Sequence, residues 1–344
     1  MTPKERLKLT LAKKSVDRPP FICLGGMMNT AVEEVMDITE NKWPEAHSNA
    51  ELMAGLAAGI YEQGGFENFG VPFCMTVEAE AMGAKVFLGT KINEPRVTSY
   101  PLQSMKDWMK LKRINPEGGR VKVVLDAIKI LRNKNLQVPL VANLVGPISV
   151  ATSLIEPTMF YKDMHKNPQI VHKMMTFITE NLISFGKTQL EAGANVLAVS
   201  EPSGTGEILG PVLFREFSTP YLNKIVEALR DYAEIGTIIH ICGRLKNVYR
   251  ELEDIKSDAI SVDGITSIKK MVKNLPGKII MGNISTFALE YESPMRVKNM
   301  AENCLLDGAK ILAPACGIGP RTPLVNIQIA LEAAKKYELN GVQR

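Results

Sequence analysis

The sequence predicts an α/β fold built as a single (β/α)8 barrel, and three observations carry that prediction. Short β-branched or aliphatic runs, each followed by a glycine-bearing exit and a helix, recur about eight times along the 344 residues. The runs are apolar throughout instead of alternating, as strands buried on both faces of a parallel sheet are. Their exits gather polar and metal-binding side chains, and barrels keep their active sites at that end. The competing architecture, a doubly wound open sheet, requires a phosphate fingerprint after its first strand, and Gly25-Gly26 is no G-x-G-x-x-G.

At the N-terminus Thr2 caps a short basic helix, with Glu5 as its capping-box partner, and Pro19-Pro20 ends this helical lead-in. Phe21 to Leu24 reads as the first strand, and the following Met27 and Met28 read as gap-filling core. His47, beside the Pro44 turn, reads as a surface or capping group. Asn49 is the N-cap of a helix over 50–64, whose Leu52, Leu56 and Ile60 recur every four residues. Residues 68–74 form the second strand and its exit. Glu78 and Glu80 then either serve the site or open a helix. Residues 85–105 form a meander, the one excursion from a regular barrel and one placed to cover its mouth.

From residue 119 the cadence is regular. A helix over 120–134 leads to a strand at 138–142 that exits at Asn143, and helices follow at 148–165 and 168–192. The strand at 195–199 leaves through Ser200-Glu201-Pro202. Next come a helix at 211–231, a strand at 236–240, a helix at 245–254 and a strand at 259–262 leading to Asp263. A helix at 266–274, a strand at 278–281 with Gly282-Asn283, a helix at 294–307, a strand at 310–313 and a helix at 323–338 close the chain.

Composition fits one domain spanning 1–344. Hydrophobic residues make up 45%, ample for a large core. The net charge of +4, from 41 basic and 37 acidic residues, is too mild and too evenly spread to indicate nucleic acid or an anionic membrane. No stretch approaches the roughly 18 to 20 apolar residues of a membrane span, and the N-terminus lacks the apolar run of a signal peptide. Cysteines 23, 74, 242, 304 and 316 are odd in number and scattered, which is no disulfide framework. The expectation is a cytoplasmic protein whose thiols stay free for metal.

His240-Ile241-Cys242-Gly243 follows the run at 236–239, and residues i and i+2 of a strand point to the same side. His240 and Cys242 can therefore grip one ion. The third ligand must come from another strand, and Cys316, past the run at 310–312, is the thiol best placed by context. One imidazole, two thiolates and an open fourth position form the ligand set of a catalytic zinc. The plain alternative is a core histidine and two buried cysteines acting as small apolar residues. Asn143 and Asn283, at neighbouring exits, are either substrate-binding groups or helix caps. Glu201 is a poor cap for its own helix because proline follows it.

His240-Ile241-Cys242-Gly243, Ala315-Cys316-Gly317-Ile318 and Trp43-Pro44-Glu45-Ala46-His47 resemble the methylcobalamin:coenzyme M methyltransferases, as do the stretches from Pro72 to Glu80 and from Met281 to Ser285. Those enzymes are a zinc-dependent branch of the uroporphyrinogen decarboxylase superfamily, and the likeness runs over nearly the whole chain. The resemblance implies a barrel of the uroporphyrinogen decarboxylase type, Zn2+ on His240, Cys242 and Cys316, a corrinoid protein carrying methylcobalamin as methyl donor, and coenzyme M as thiol acceptor. The decarboxylase reading is disfavoured. That family has an arginine-rich segment after its first strand, whereas Leu24 to Thr30 here contains none, and it tends to have histidine where Cys316 stands.

The chain departs from the coenzyme M enzymes at Arg244, where a small polar residue such as Asn is expected, and at Asp263, where they resemble a glutamate. Asp263, one methylene shorter, is a candidate exchangeable fourth ligand. Arg244 or Arg321 either anchors an anionic acceptor tail or is a surface charge. Only a thiolate is a good sulfur nucleophile, and zinc binding removes the thiol proton; Glu201 or Asp263 would receive it. Tetrahydrofolate or homocysteine as acceptor, and a non-catalytic corrinoid-docking or metal-binding barrel, are the further alternatives.

Overall fold

The computed structural model describes residues 1–134 and 137–337. Six strands form one parallel sheet in the order β1 (Phe69–Val71), β4 (Leu140–Val145), β5 (Val196–Glu201), β6 (Gly236–Ile241), β7 (Ala259–Val262) and β8 (Ile279–Met281), while β2 (Lys85–Phe87) and β3 (Arg96–Ser99) pair separately. Each parallel neighbour is reached through an intervening helical segment, as parallel pairing requires. All but the first residue of β6 lie buried along these six strands, which explains their unbroken apolar runs.

Two further segments complete a ring of eight through single bridges instead of ladders. Ile311 bridges Met281 and Leu312 bridges Phe21, both parallel. On the other side the Glu67 N–H donates to the Phe21 carbonyl, and the Asn68 amide takes the place of a strand by bonding both the N–H and the carbonyl of Cys23. The expected strands at 21–24 and 310–313 are thus barrel positions without regular strand geometry. Backbones meet too closely there for side chains: a Cβ on Gly70 would lie 2.5 Å from the Leu24 carbonyl oxygen.

The lead-in helix (Pro3–Leu11) is capped by Thr2, which accepts from the Glu5 N–H at 3.2 Å. Its Arg6 joins Arg18 on the buried Glu67, and the other Glu67 oxygen accepts from the Phe21 N–H. This network anchors the lead-in to the first barrel segment. The expected meander is the antiparallel β2–β3 hairpin. Lys91 ties its tip to Asp37 on the helix Glu33–Thr39.

Several helices differ from expectation. The helix expected at 148–165 is two, Pro147–Leu154 and Pro157–Lys166, because Pro157 disfavours helical geometry at Glu156, which caps the second by accepting from the Met159 N–H. The expected 211–231 helix starts earlier, breaks at Gly210-Pro211 and passes through a π turn, Phe214–Ser218. A helix not anticipated, Thr286–Tyr291, starts on Ser285, whose hydroxyl accepts from the Ala288 N–H. The last helix is Leu324–Lys336, and the end expected for it at 338 lies outside the described residues.

Candidate metal centre

β6 delivers His240 as its penultimate residue, and Cys242 follows one position beyond the strand end. Cys316 lies past the segment bridged to Phe21, one turn of chain beyond Pro314. The three ligand atoms lie within 4.8 Å of one another. His240 Nε2 is 3.2 Å from Cys242 Sγ, and Cys242 Sγ is 3.8 Å from Cys316 Sγ. Two thiolates held tetrahedrally at a zinc–sulfur distance of about 2.3 Å stand about 3.8 Å apart. The sulfur spacing therefore fits a tetrahedral zinc edge with no rearrangement.

The surroundings orient the imidazole. Ser261 faces His240 directly in the β6–β7 register, and its Oγ is 3.0 Å from Nδ1. With Nδ1 as donor to that hydroxyl, Nε2 keeps a lone pair for the cluster. Cys316 is drawn down by the hydrogen bond from the Cys242 thiol and then by His240, while Cys242 is pushed up by the same bond, by burial and by the charge of Cys316. A dication bound there would displace the protons of both thiols.

The remaining expected site residues fall around this cluster in different ways. Asp263 accepts from the Gly243 N–H at 3.1 Å and from the Ile265 N–H at 3.0 Å, fixing the loop next to Cys242, and its charge reaches that thiol. Asn283 donates to the carbonyls of Asp263 and Thr266, and Asn143 to those of Leu24 and Val71, so both amides join neighbouring barrel segments. Arg244 is exposed, with Glu207 as its ion-pair partner at 3.7 Å, and Arg321 is exposed as well.

Glu201 is fully buried and does cap a helix, though not its own. It accepts from the N–H groups of Ile148 and Ser149 at the start of Pro147–Leu154, from the Ser149 hydroxyl and from the Gly204 N–H. Burial outweighs these donors and raises its pKa to about 7.

Four further groups lie at this end of the barrel or beside it. Met27, expected as core filling, brings its Sδ within 3.8 Å of Cys316 Sγ. Glu94, carried by the β2–β3 hairpin, is raised to about 8 by burial and then by the charges of Cys74 and Cys316. Its position in an irregular loop left no sequence signal. Glu78 is buried, accepts from the Val145 N–H and is raised to about 7, mainly by burial. His47 overturns the surface expectation: it is fully buried, because the short turn Glu45–His47 folds it back onto Trp43 with ring centroids 4.7 Å apart.

The uroporphyrinogen decarboxylase (URO-D) family model matches residues 2–337. A methylcobamide:CoM methyltransferase, MtbA, of Methanosarcina acetivorans is 34% identical over 98% of both chains. A second, MtaA of Methanosarcina barkeri, is 33% identical, again over 98% of both. The solved structure of a methyltransferase from Methanosarcina mazei superimposes with a TM-score of 0.89 at 33% identity, covering 98% of this chain and 99% of that one. The chain belongs to the uroporphyrinogen decarboxylase (URO-D) family, within the branch of the methylcobamide:CoM methyltransferases.

Proposed function

We propose that residues 1–344 work as one barrel domain that moves a methyl group from a methylated corrinoid, carried by a corrinoid protein, to a zinc-bound thiol, coenzyme M. The observation that carries this reading is the cluster of His240, Cys242 and Cys316 in a chain a third identical to methylcobamide:CoM methyltransferases. When bound, zinc keeps the acceptor sulfur ionised at neutral pH and the corrinoid offers the methyl group.

The chain's own residues do the rest. Cys242 and Cys316 would lose their thiol protons and hold the metal with His240, whose ring Ser261 orients by a hydrogen bond at Nδ1. Two thiolates and a neutral imidazole from His240 would balance the charge of the metal, so these ligands would leave an incoming thiolate electron-rich. Glu201 is poised near neutral pH to accept the thiol proton, with Asp263 as the second candidate. Asp263 is also the candidate fourth ligand before the thiol arrives.

The test combines zinc content with an absorbance assay of methylcobalamin consumption in the presence of coenzyme M. One zinc per chain, turnover with coenzyme M and loss of both in Cys316→Ala support the reading. Turnover on homocysteine or tetrahydrofolate alone reassigns the acceptor. Protein that binds no zinc refutes the site.

A further inference from the structure

Two stretches that carry the family resemblance, Trp43 to His47 and Pro72 to Glu80, contribute nothing to the metal cluster, yet they meet in one buried group of side chains. Trp43 packs on Phe73 with ring centroids 6.2 Å apart and on His47 on its other side. Arg120, 7% exposed, enters from the helix Gly119–Lys134 and donates to Glu80 at 2.6 Å, to Thr76 at 2.7 Å and to the Cys74 sulfur at 3.3 Å. A guanidinium has five N–H donors, so two remain.

Trp43 Nε1 and both nitrogens of His47 have no hydrogen-bond partner, although the two residues are 2% and 0% exposed. Buried polar groups in native proteins are satisfied by protein, water or ligand, and each exception requires an explanation. Here the orphans share one locality: the Arg120 charge reaches His47 and, after burial, helps hold it down to about 3. His47 is therefore neutral and donates through one nitrogen. The group offers the Trp43 N–H, one His47 N–H and two Arg120 N–H groups to an acceptor that no described residue supplies.

The segments that carry these residues adjoin those that carry the cluster. Cys74 lies at the exit of β1, next in the ring to the first barrel segment, whose exit puts Met27 against Cys316. The Gly26 N–H donates to the Pro72 carbonyl, joining those two exits.

We propose that Trp43, His47 and Arg120 form the subsite for the anionic tail of the thiol acceptor, a sulfonate whose three oxygens take up these donors while its sulfur lies on the His240–Cys242–Cys316 cluster. This rests on the methyl-transfer reading and gives Arg120 the tail-anchoring role that the sequence offered to Arg244 or Arg321.

The experiment uses the full-length, zinc-loaded protein and two thiols with the same carbon spacing, coenzyme M and the neutral 2-mercaptoethanol. KM is measured for methyl transfer, and ethanesulfonate, which has no thiol, is titrated calorimetrically. Arg120→Met is expected to raise the coenzyme M KM by about 10- to 100-fold, the size of a lost charge-assisted hydrogen bond, and to abolish ethanesulfonate binding. Zinc content and the 2-mercaptoethanol KM stay as in the parent. Trp43→Phe and His47→Gln, which keep the packing, give smaller losses confined to coenzyme M and carry the test if Arg120→Met fails to fold.

Equal weakening of both thiols, or coenzyme M preference lost only in Arg244→Met or Arg321→Met, overturns the proposal. So does an unchanged KM, the result expected if water alone satisfies these donors. Ethanesulfonate binding that depends on Arg120 supports the subsite even if no thiol is methylated, an outcome that would instead refute the methyl-transfer reading.

Discussion

Replacing Ser261 by alanine tests the metal centre through a residue that touches no metal. Ser261 and His240 are both 0% exposed and sit opposite each other in the β6–β7 register, with Oγ 3.0 Å from Nδ1. The alanine leaves a buried imidazole N–H without an acceptor, which costs about 1–3 kcal/mol. It also removes the bond that keeps the proton on Nδ1, so the ring can present N–H instead of a lone pair to Cys242 and Cys316. Loss of such a supporting group typically costs 10- to 100-fold in metal affinity, or about 1.4–2.8 kcal/mol. The two routes give the same size. Zinc affinity would be read by competition with a chromophoric chelator, beside a urea titration of the metal-free protein. The expected result is zinc binding weakened by about 10- to 100-fold. Affinity within about twofold of the parent would refute the orienting role and leave Ser261 as a packing group.

Three other outcomes follow from particular contacts. Asp17 is held down to about 2, first by its hydrogen bond from Arg6, so its folded pKa lies below the unfolded value of about 3.9. Its stabilisation is complete above about pH 4 and is lost as pH falls toward 2. Because the side chain is 41% exposed, solvent screening keeps the effect below about 1 kcal/mol, and urea titrations of Asp17→Asn should show a flatter acid limb. Gly70→Ala forces a Cβ to within 2.5 Å of the Leu24 carbonyl oxygen and should destabilise the fold by about 1–3 kcal/mol, whereas an unchanged melting temperature would deny the close approach of the first segment to β1. If Glu201 takes the thiol proton, coenzyme M binding to zinc-loaded Glu201→Gln at pH 7 should release more proton to buffer than the parent does; an identical release there and in Asp263→Asn would exclude both as acceptors.

What was legible in the sequence was local. His240 and Cys242 needed only the two-residue period of a strand, and each regular strand from β4 to β8 announced itself as an apolar run with a polar or glycine exit. The first and last barrel positions were misjudged as strands because their pairing is set by partners far along the chain, including an Asn68 side chain standing in for backbone. The partners of Glu201 were hidden for a related reason: proline excludes it from capping the helix that follows, and the helix it does cap begins at Pro147, brought alongside by the β4–β5 pairing. His47 looked exposed beside its proline turn, and nothing nearby in the chain announced that Phe73 packs on its neighbour Trp43 or that the Arg120 charge reaches it.

Arg120 did leave one local trace. A cation in the first turn of a helix faces the positive end of the macrodipole and is mildly unfavourable there. The helix Gly119–Lys134 places its Arg in that turn and carries no acidic residue beside it to offset the charge. The compensation comes instead from Glu80, 40 residues earlier, which takes up only one of the five N–H donors. A buried guanidinium set against a helix dipole and left with spare donors is costly as pure scaffold, because an aliphatic side chain of similar length would fill the same space without desolvating a charge. If Arg120 were scaffold alone, Arg120→Met, which leaves Glu80, Thr76 and Cys74 without their donor, should lower stability while the coenzyme M kinetics stay unchanged. If it holds a sulfonate, the same substitution separates stability from substrate preference: the fold survives and the discrimination between the acidic and the neutral thiol disappears.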